Sequence, residues 1–508
     1  MQTALKNEIK RLSKRILTRA AHSESKAEEY RNKYHKRTGL TAGLPATAQP
    51  SPPLSTLFDP KHCARNANFL SKTIWHKVLS EDYKPIPAQN FLIPKPAGGF
   101  RSIMAFSIPD AALANVMMKR SRARNLKRLS SFSYAYHPDK NIFDAVLALS
   151  NYITTDKLFA VQIDFEKYFD SIPSRYLKSC IANKNMLSLT PHERYVFREF
   201  LHHRYAEPDE YQANIFKRRV IGTPQGSSIS LLLANLASDS LDRSLERCAG
   251  KFVRYADDVT AVCSNYEDAL ILENCFIEHC KSSGIKINEK KSEGIAIISK
   301  YDSEMRNSGS LKYLGYSFSK DGTSIPESVI KRVKKKISRL IHIYLIHYPK
   351  KYGFSDSRNG INPDYDWDLL GLITEIRKYL YGGLDERDIQ LYLSEGRKLK
   401  QMRGLMGFYA LIEQRDQFIE LDGWLANSIK RAMQKRALIL RARYGVQGTQ
   451  PNEGQLITGS WLDMRAWRGS SEPEAGLPSF VRGWRAARKY YFTFGLEKVE
   501  PPNYMSYY

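Results

Sequence analysis

Three carboxylates stand where a pair of catalytic metal ions could use them. Asp164 ends the short apolar run LFAVQI, and Asp257 and Asp258 lie side by side in KFVRYADDVTAVC, two β-prone runs about a tight acidic turn. Adjacent acids at a turn repel one another, so the arrangement is costly without a cation. Nucleotidyl transfer asks for such a donor set: carboxylates holding two divalent ions about 4 Å apart, one activating an attacking hydroxyl and one neutralising a triphosphate. Taken alone, an Asp-Asp pair in a turn is what turn chemistry favours anyway. The elements that would position the three acids must decide.

From about residue 59 to 316, short apolar strands alternate with helices, the texture of an α+β fold. Residues 158–163 fit a buried strand, Ile229, Leu232, Leu233 and Leu236 mark one apolar helical face, and residues 251–263 read as a hairpin. Residues 266–283 read as a helix stopped by Gly284. Residues 1–38 are highly charged, with Leu5, Ile9, Leu12 and Ile16 at helical spacing. Such a helix could clamp RNA or a second copy of the chain, or lie solvated and lightly packed on the body. The Pro-, Ala-, Thr- and Ser-rich stretch TAGLPATAQPSPPL then reads as a linker. Past Pro326 the texture turns helical, and Val329, Ile330, Val333, Ile337, Leu340 and Ile341 form an apolar stripe flanked by lysines and arginines. More helices follow through about Arg443, and a Gly-, Pro- and aromatic-rich segment runs to Tyr508. The expected division is 1–58 (basic helix and linker), 59–320 (the α+β body), 321–445 (helical) and 446–508 (a C-terminal extension).

The bulk numbers bound the partners. With 508 residues, 42% hydrophobic and 11% aromatic, the chain has the composition of a folded protein with more than one module. Its 78 Lys plus Arg against 53 Asp plus Glu give a formal charge of +25, which favours a polyanion through counterion release and puts nucleic acid ahead of a membrane surface. The six cysteines include no C-x-x-C pair and read as idle or buried thiols. With no apolar leader at the N-terminus and no apolar run of spanning length, the expectation is a soluble, cytoplasmic protein without a membrane partner.

The blocks DFEKYFDSI, GTPQGSSIS and FVRYADDV, in this order and at these separations, resemble the palm of reverse transcriptases. Further blocks extend the resemblance over roughly residues 91–340. FLIPKPAGGFRSI resembles the fingers motif whose lysine and arginine clamp the incoming triphosphate, which implies Lys95 and Arg101; read plainly, these are two surface cations on a hairpin turned by Gly98 and Gly99. SYAYHPDKNIFDAV resembles the next fingers block. GIKINEKKSE resembles the motif whose lysine lies near departing pyrophosphate, which implies Lys291 as a general acid and leaves Asn288 and Lys290 as fold and surface residues. KYLGYSF, centred on Leu314 and Gly315, resembles the primer-grip hairpin.

The resemblance implies a right-hand polymerase with fingers, an antiparallel-sheet palm and a helical thumb, plus N- and C-terminal extensions. It implies Asp164, Asp257 and Asp258 as catalytic residues, and Asp164, Phe165, Asp257 and Asp258 as the metal-binding set. Mg²⁺ is the expected metal, because all-oxygen sites at triphosphates prefer hard cations. Deoxynucleoside triphosphates, an RNA template and a DNA product complete the set. Phe169 falls where the family places a bulky side chain under the sugar, a gate against a ribose 2′-hydroxyl; the plainer reading is a core aromatic. Gln225 would contact nucleotide and template near the sugar, with Gly222 and Gly226 letting backbone approach; the plainer reading is a polar residue at a helix entry. Glu166 and Asp170 are expected to face solvent or pair with basic neighbours.

Branch-level features are fewer. The N-A-x-x-H and V-T-G blocks of retron enzymes are absent, and residues 403–438 are similar to the maturase-type thumb of group II intron proteins. SSISLLLANLASDSLD replaces the intron-type sequence after PQG and looks like the bacterial unknown-group enzymes, many of which act with a partner non-coding RNA in defence against phage. That branch is the first expectation, an intron maturase the second, and a catalytically idle RNA-binding protein the alternative of another class. The tail PPNYMSYY raises protein priming by Tyr504, Tyr507 or Tyr508, against the plainer reading of a docked or frayed terminus.

Overall fold

A computed structural model describes residues 1–38, 55–94, 98–137, 139–155, 157–299, 307–351, 366–400, 402–464 and 472–495. The linker at 41–54, Lys95 and the tail tyrosines Tyr504, Tyr507 and Tyr508 lie outside these residues. The chain divides into two units, Met1–Ser25 with Ala46–Gly309, and Lys26–Pro45 with Ser310–Tyr508.

The N-terminal amphipathic pattern folds as helix α1 (Gln2–Thr38). In the first unit its opening turns bury Leu5 and Ile9 in the core, and Glu8 holds Arg11 and the amide of Asn115. Leu12 is half-buried and Ile16 is 42% exposed. The apolar stripe therefore serves the chain's own body over those opening turns.

Strands β1 (Ala88–Pro94) and β2 (Phe100–Ala105) pair antiparallel from Gln89↔Ala105 to Pro94↔Phe100. Gly98 and Gly99 both take positive φ at the return, a conformation that costs glycine little. Then come α2 (Ile108–Asn125), capped by Ser107, and α3 (Ile142–Tyr152), opened by an Asn141–Asp144 capping box. Next are β3 (Lys157–Ile163), β4 (Arg204–Ala206) and β5 (Lys217–Arg218), the last two completing a sheet of order β2-β1-β4-β5. The chain continues through α4 (Ser228–Ala237), α5 (Asp239–Leu245), β6 (Lys251–Tyr255), β7 (Asp258–Cys263), α6 (Tyr266–Ser283) and β8 (Gly294–Ser299). A second sheet runs β6-β7-β3-β8, antiparallel throughout, with β3 and β7 inside it. That inner position is why β3 can be apolar almost residue after residue. The sequence predicts one apolar face for α4, but Ser230, Ala234, Asn235 and Ala237 are buried too, so the helix is enclosed nearly all round. Helix α6 ends at Gly284, whose φ of +74 supplies the left-handed cap expected there.

The second unit opens with a three-stranded sheet of β9 (Leu311–Tyr313), β10 (Tyr316–Ser319) and β11 (Gly322–Ser324). Helix α7 (Glu327–Ile341) buries Val329, Val333, Ile337 and Ile341 and leaves Ile330 and Leu340 half-buried, then runs on into a π-helical turn at His342–His347. Helices α8 (Trp367–Tyr381) and α9 (Asp416–Tyr444) follow. The segment beyond Arg443 departs from the irregular texture expected of it, since it contains Glu453–Thr458 and α10 (Phe480–Phe494). Helix α10 buries Phe480, Gly483, Trp484, Ala487 and Tyr490, a helical stripe hidden in sequence by its aromatic content. Gly483 is required there: a Cβ would lie 2.4 Å from Cε1 of Tyr381.

No helix among the described residues is long and apolar enough to cross a membrane. All six cysteines are free thiols.

Candidate active site

Strand register brings the three aspartates together. β3 pairs with β7 from Phe159↔Cys263 to Ile163↔Val259, so one further step sets Asp164 opposite Asp258. Directly opposed residues of an antiparallel pair have Cα atoms about 5 Å apart and side chains on one face. Tyr255 pairs with Asp258 across a two-residue turn of Ala256 and Asp257. The expected hairpin is present, and its tip lies beside the end of β3.

Asp164 is clamped from its other flank. The Asn288 amide donates to Asp164 Oδ2 at 2.9 Å, and the backbone N–H of Asn288 donates to the Asp164 carbonyl at 2.8 Å. Asp164 N–H in turn donates to Ser292 Oγ at 3.1 Å. Asn288 is thus more than the fold residue expected from sequence, because it orients the carboxylate itself. Lys291 sits in the same turn, exposed, with its backbone N–H on the Asn288 carbonyl. Nothing in sequence couples Asn288 to Asp164, since the contact spans 124 positions.

The acidic turn is strained and braced. Ala256 has φ +63, the left-handed value a II′-type hairpin places at its first central residue, where glycine is usual. Its carbonyl accepts from Arg254 Nη1 at 3.0 Å. Arg254 is 1% exposed and grips Asp242 of α5 with Nε at 2.6 Å and Nη2 at 2.5 Å, and Asn235 of α4 with Nη1 at 2.7 Å. Ser133 Oγ shares Asn235, and the Tyr134 N–H donates to the Arg254 carbonyl. Sequence reading assigned Arg254 no role, because a lone arginine in a strand gives no sign that its acid is buried beside it.

The charges at the tip press on one another. Burial raises the Asp257 carboxyl above the usual carboxylate range; Asp164 adds to that rise, while Arg101 and Arg254 oppose it. Burial, with the charges of Asp257 and Asp164, pushes Asp258 up to about 7. Asp258 also keeps part of its surface exposed, where a cation can reach it. Among the described residues no three His, Cys, Asp or Glu side chains converge as a metal-ligand cluster. The donor set still suits a hard cation, being all oxygen, mutually repelling and partly held in place. Phe165, whose ring is in the core, could add only its main-chain carbonyl.

The remaining predicted residues fall around this edge. Arg101 is exposed on β2 yet close enough to lower the Asp257 pKa, and its charge also reaches Tyr136, which carries a positive φ of +60. Tyr136 was not singled out in the sequence, and its place beside Asp257 is a tertiary fact. The main-chain carbonyl of Gln225 accepts from the Met104 N–H at 2.6 Å, and a Cβ on Gly226 would lie 2.1 Å from the Met104 carbonyl. Thr223 N–H donates to the Phe169 carbonyl at 2.6 Å, and a Cβ on Gly222 would meet that same oxygen at 2.6 Å. These two glycines let the PQG loop lie against both β2 and the Phe169 turn. Phe169 is half-buried, its ring edge-on to Tyr168 at 5.7 Å. Lys95 has no described position.

Comparison with known proteins agrees with this geometry. Residues 93–318 match the family described as reverse transcriptase (RNA-dependent DNA polymerase), whose domains generally use divalent metal ions. Among curated proteins, a COX1/OXI3 intron 2 protein of Saccharomyces cerevisiae is 26% identical over 185 residues, 36% of this chain and 20% of that protein. Protein YkfC of Escherichia coli is 22% identical over 173 residues, 33% of this chain and 43% of that protein. A 91 kDa protein in the cob intron of Schizosaccharomyces pombe is 26% identical over 183 residues, 35% of this chain and 21% of its own. The chain thus spans less than half the length of these relatives. A solved telomerase from Candida tropicalis aligns over 73% of this chain and 68% of its own at 15% identity, with a TM-score of 0.38, too loose a likeness to carry an argument. The family match, over residues 93–318, covers the strands, turns and loops that bring the three aspartates together.

Proposed function

We propose that this protein is an RNA-directed DNA polymerase that extends a primer with deoxynucleotides by nucleotidyl transfer. The observation that carries the reading is the meeting of Asp164, Asp257 and Asp258 at the ends of β3 and β7, inside the segment that matches the family. Mg²⁺ held by these carboxylates and the Phe165 carbonyl would supply activation of the primer hydroxyl and neutralisation of the triphosphate. Arg101, with Lys95, holds the triphosphate; Phe169 excludes a ribose 2′-hydroxyl; Gln225 meets the sugar; Lys291 gives a proton to the departing pyrophosphate. In this reading residues 59–320 are fingers and palm, residues 321–445 with basic α7 the thumb, and residues 446–508 an added element. The net charge of +25 supports a nucleic-acid partner.

The template RNA separates two versions. A dedicated non-coding RNA in cytoplasmic antiphage defence rests on the similarity of SSISLLLANL to unknown-group enzymes. The intron names of the two yeast relatives favour a group II intron-encoded enzyme acting on intron RNA. The test is to purify the protein with its co-purifying RNA, add Mg²⁺ and labelled deoxynucleotides, and sequence the product beside an Asp258→Ala control. DNA copied from one small structured RNA, absent in the control, supports the defence version, and DNA copied from intron RNA supports the other. RNA binding without synthesis on any template or primer would leave an RNA-binding protein as the better account.

A further inference from the structure

Asp170 makes two hydrogen bonds that the chemistry proposed above does not use. Its Oδ1 accepts from Arg219 Nη2 at 3.0 Å and its Oδ2 from Gln225 Nε2 at 3.0 Å. Arg219 is 9% exposed, with its backbone N–H on the His203 carbonyl, so it is a fixed post. The loop between Arg219 and Gln225 is fixed as well. Gly222 N–H donates to the Ile172 carbonyl at 2.8 Å, Thr223 N–H to Phe169, and Gln225 accepts from Met104. What remains free at Gln225 is the direction of its side-chain amide.

A carboxylate has no hydrogen to give, so Asp170 obliges Gln225 to turn its NH₂ inward. The other end of the amide, Oε1, accepts from no donor among the described contacts. We propose that Asp170 is a positioning residue that sets the polarity of Gln225, so that the site offers an acceptor to a sugar hydroxyl of the substrate. A deoxynucleotide brings one such donor, its 3′-hydroxyl, and an RNA template brings its 2′-hydroxyls. This inference rests on the nucleotide contact proposed for Gln225.

Asp170→Asn separates polarity from packing, because asparagine keeps the shape of aspartate. Arg219 only donates, so the asparagine oxygen must face it, and the asparagine NH₂ then faces Gln225. Two NH₂ groups cannot bond, and Gln225 has to turn over and present a donor outward. The side chain of Asp170 is 37% exposed, so the substitution leaves the core alone.

The experiment measures single-nucleotide incorporation by the wild type, Asp170→Asn, Gln225→Ala and the double variant, with thermal unfolding of each. The expected result is a rise of about tenfold in KM for the deoxynucleotide in Asp170→Asn, the worth of one hydrogen bond, at unchanged melting temperature. In the Gln225→Ala background the same substitution adds nothing. Loss of discrimination against 3′-deoxynucleotides in Asp170→Asn assigns the donor to the nucleotide; loss of preference for RNA over DNA template assigns it to the template. A kinetically silent Asp170→Asn, or effects that add in the double variant, overturns the inference while the polymerase reading stands. A wild type that incorporates no nucleotide overturns both.

Discussion

Arg254 donates to the carbonyl of Ala256, the residue held at positive φ between β6 and Asp257. The same guanidinium is paired with Asp242 at 1% exposure for both side chains. The acidic turn is therefore braced from beneath by a buried ion pair anchored on α5. A left-handed alanine persists where its surroundings over-determine it, and this pair supplies that restraint.

Arg254→Met should leave Asp242 buried without its partner, at a cost of about 3–5 kcal/mol in stability. Adding Asp242→Leu removes the stranded charge and should recover most of that loss. Primer extension should stay impaired in the double variant, since the Ala256 carbonyl still lacks its donor. Chemical unfolding and extension assays on the same preparations separate the two effects. Full activity in the double variant would show that the brace has no part in placing Asp257.

Ala256→Gly should be tolerated and should raise stability by up to about 1 kcal/mol, because glycine meets no Cβ penalty in the left-handed region. Ala256→Val should do the reverse by more, since a β-branched residue fits positive φ poorly. Unfolding midpoints of the two variants should lie on opposite sides of the wild type; midpoints on the same side would mean that the strain is not felt.

Phe169→Ala should admit ribonucleotides. The ring is half-buried on the core side, while its backbone is pinned through Thr223, so the truncation removes the wall without moving the loop. The ratio of deoxynucleotide to ribonucleotide incorporation should fall by about tenfold or more. An unchanged ratio would make Phe169 a core residue only.

Much of this site is local and so was legible. The apolar run before Asp164, the paired β-runs around Asp257 and Asp258, and the helix ending at Gly284 each carry their signal within one element. What stayed hidden is tertiary. Asn288 reaches Asp164 and Asp170 reaches Gln225 only after β3, the PQG loop and the turn before β8 have docked. Arg254 carries no signal within its own strand, and its role appears only once Asp242 and Asn235 close over it. Helix α10 was missed because aromatic residues on both its buried and exposed positions blur the period: Phe480 and Trp484 are buried, Phe492 is 68% exposed.

Acid should weaken the fold through His203. Burial, with the nearby charge of Arg219, holds this imidazole down at about 4, and the ring packs on Phe106 with Nδ1 against the Phe200 carbonyl. An unfolded histidine titrates near 6.5, so between about pH 6.5 and 4 the unfolded chain binds the extra proton. The contribution of His203 is thus fully present above that window and falls as pH drops through it, by up to about 3 kcal/mol. Unfolding followed across pH 4–7 should show this slope, and His203→Gln should flatten it. An equal slope in the variant would place the acid sensitivity elsewhere.

Divalent cations should stabilise the protein without any substrate present. Asp164, Asp257 and Asp258 raise one another's free energy when ionised, and a cation among them relieves that repulsion in the folded state alone. At a concentration about a hundredfold above the dissociation constant, Mg²⁺ would contribute about 2.7 kcal/mol. The melting temperature should rise with Mg²⁺ and return on adding EDTA, and Asp257→Asn with Asp258→Asn should abolish the response. In metal-free buffer that same double variant should melt above the wild type, because its like charges are gone. The two signs together identify the site: a cation bound elsewhere would stabilise the variant as well as the wild type, and a purely structural role for the acids would make the variant melt lower in EDTA.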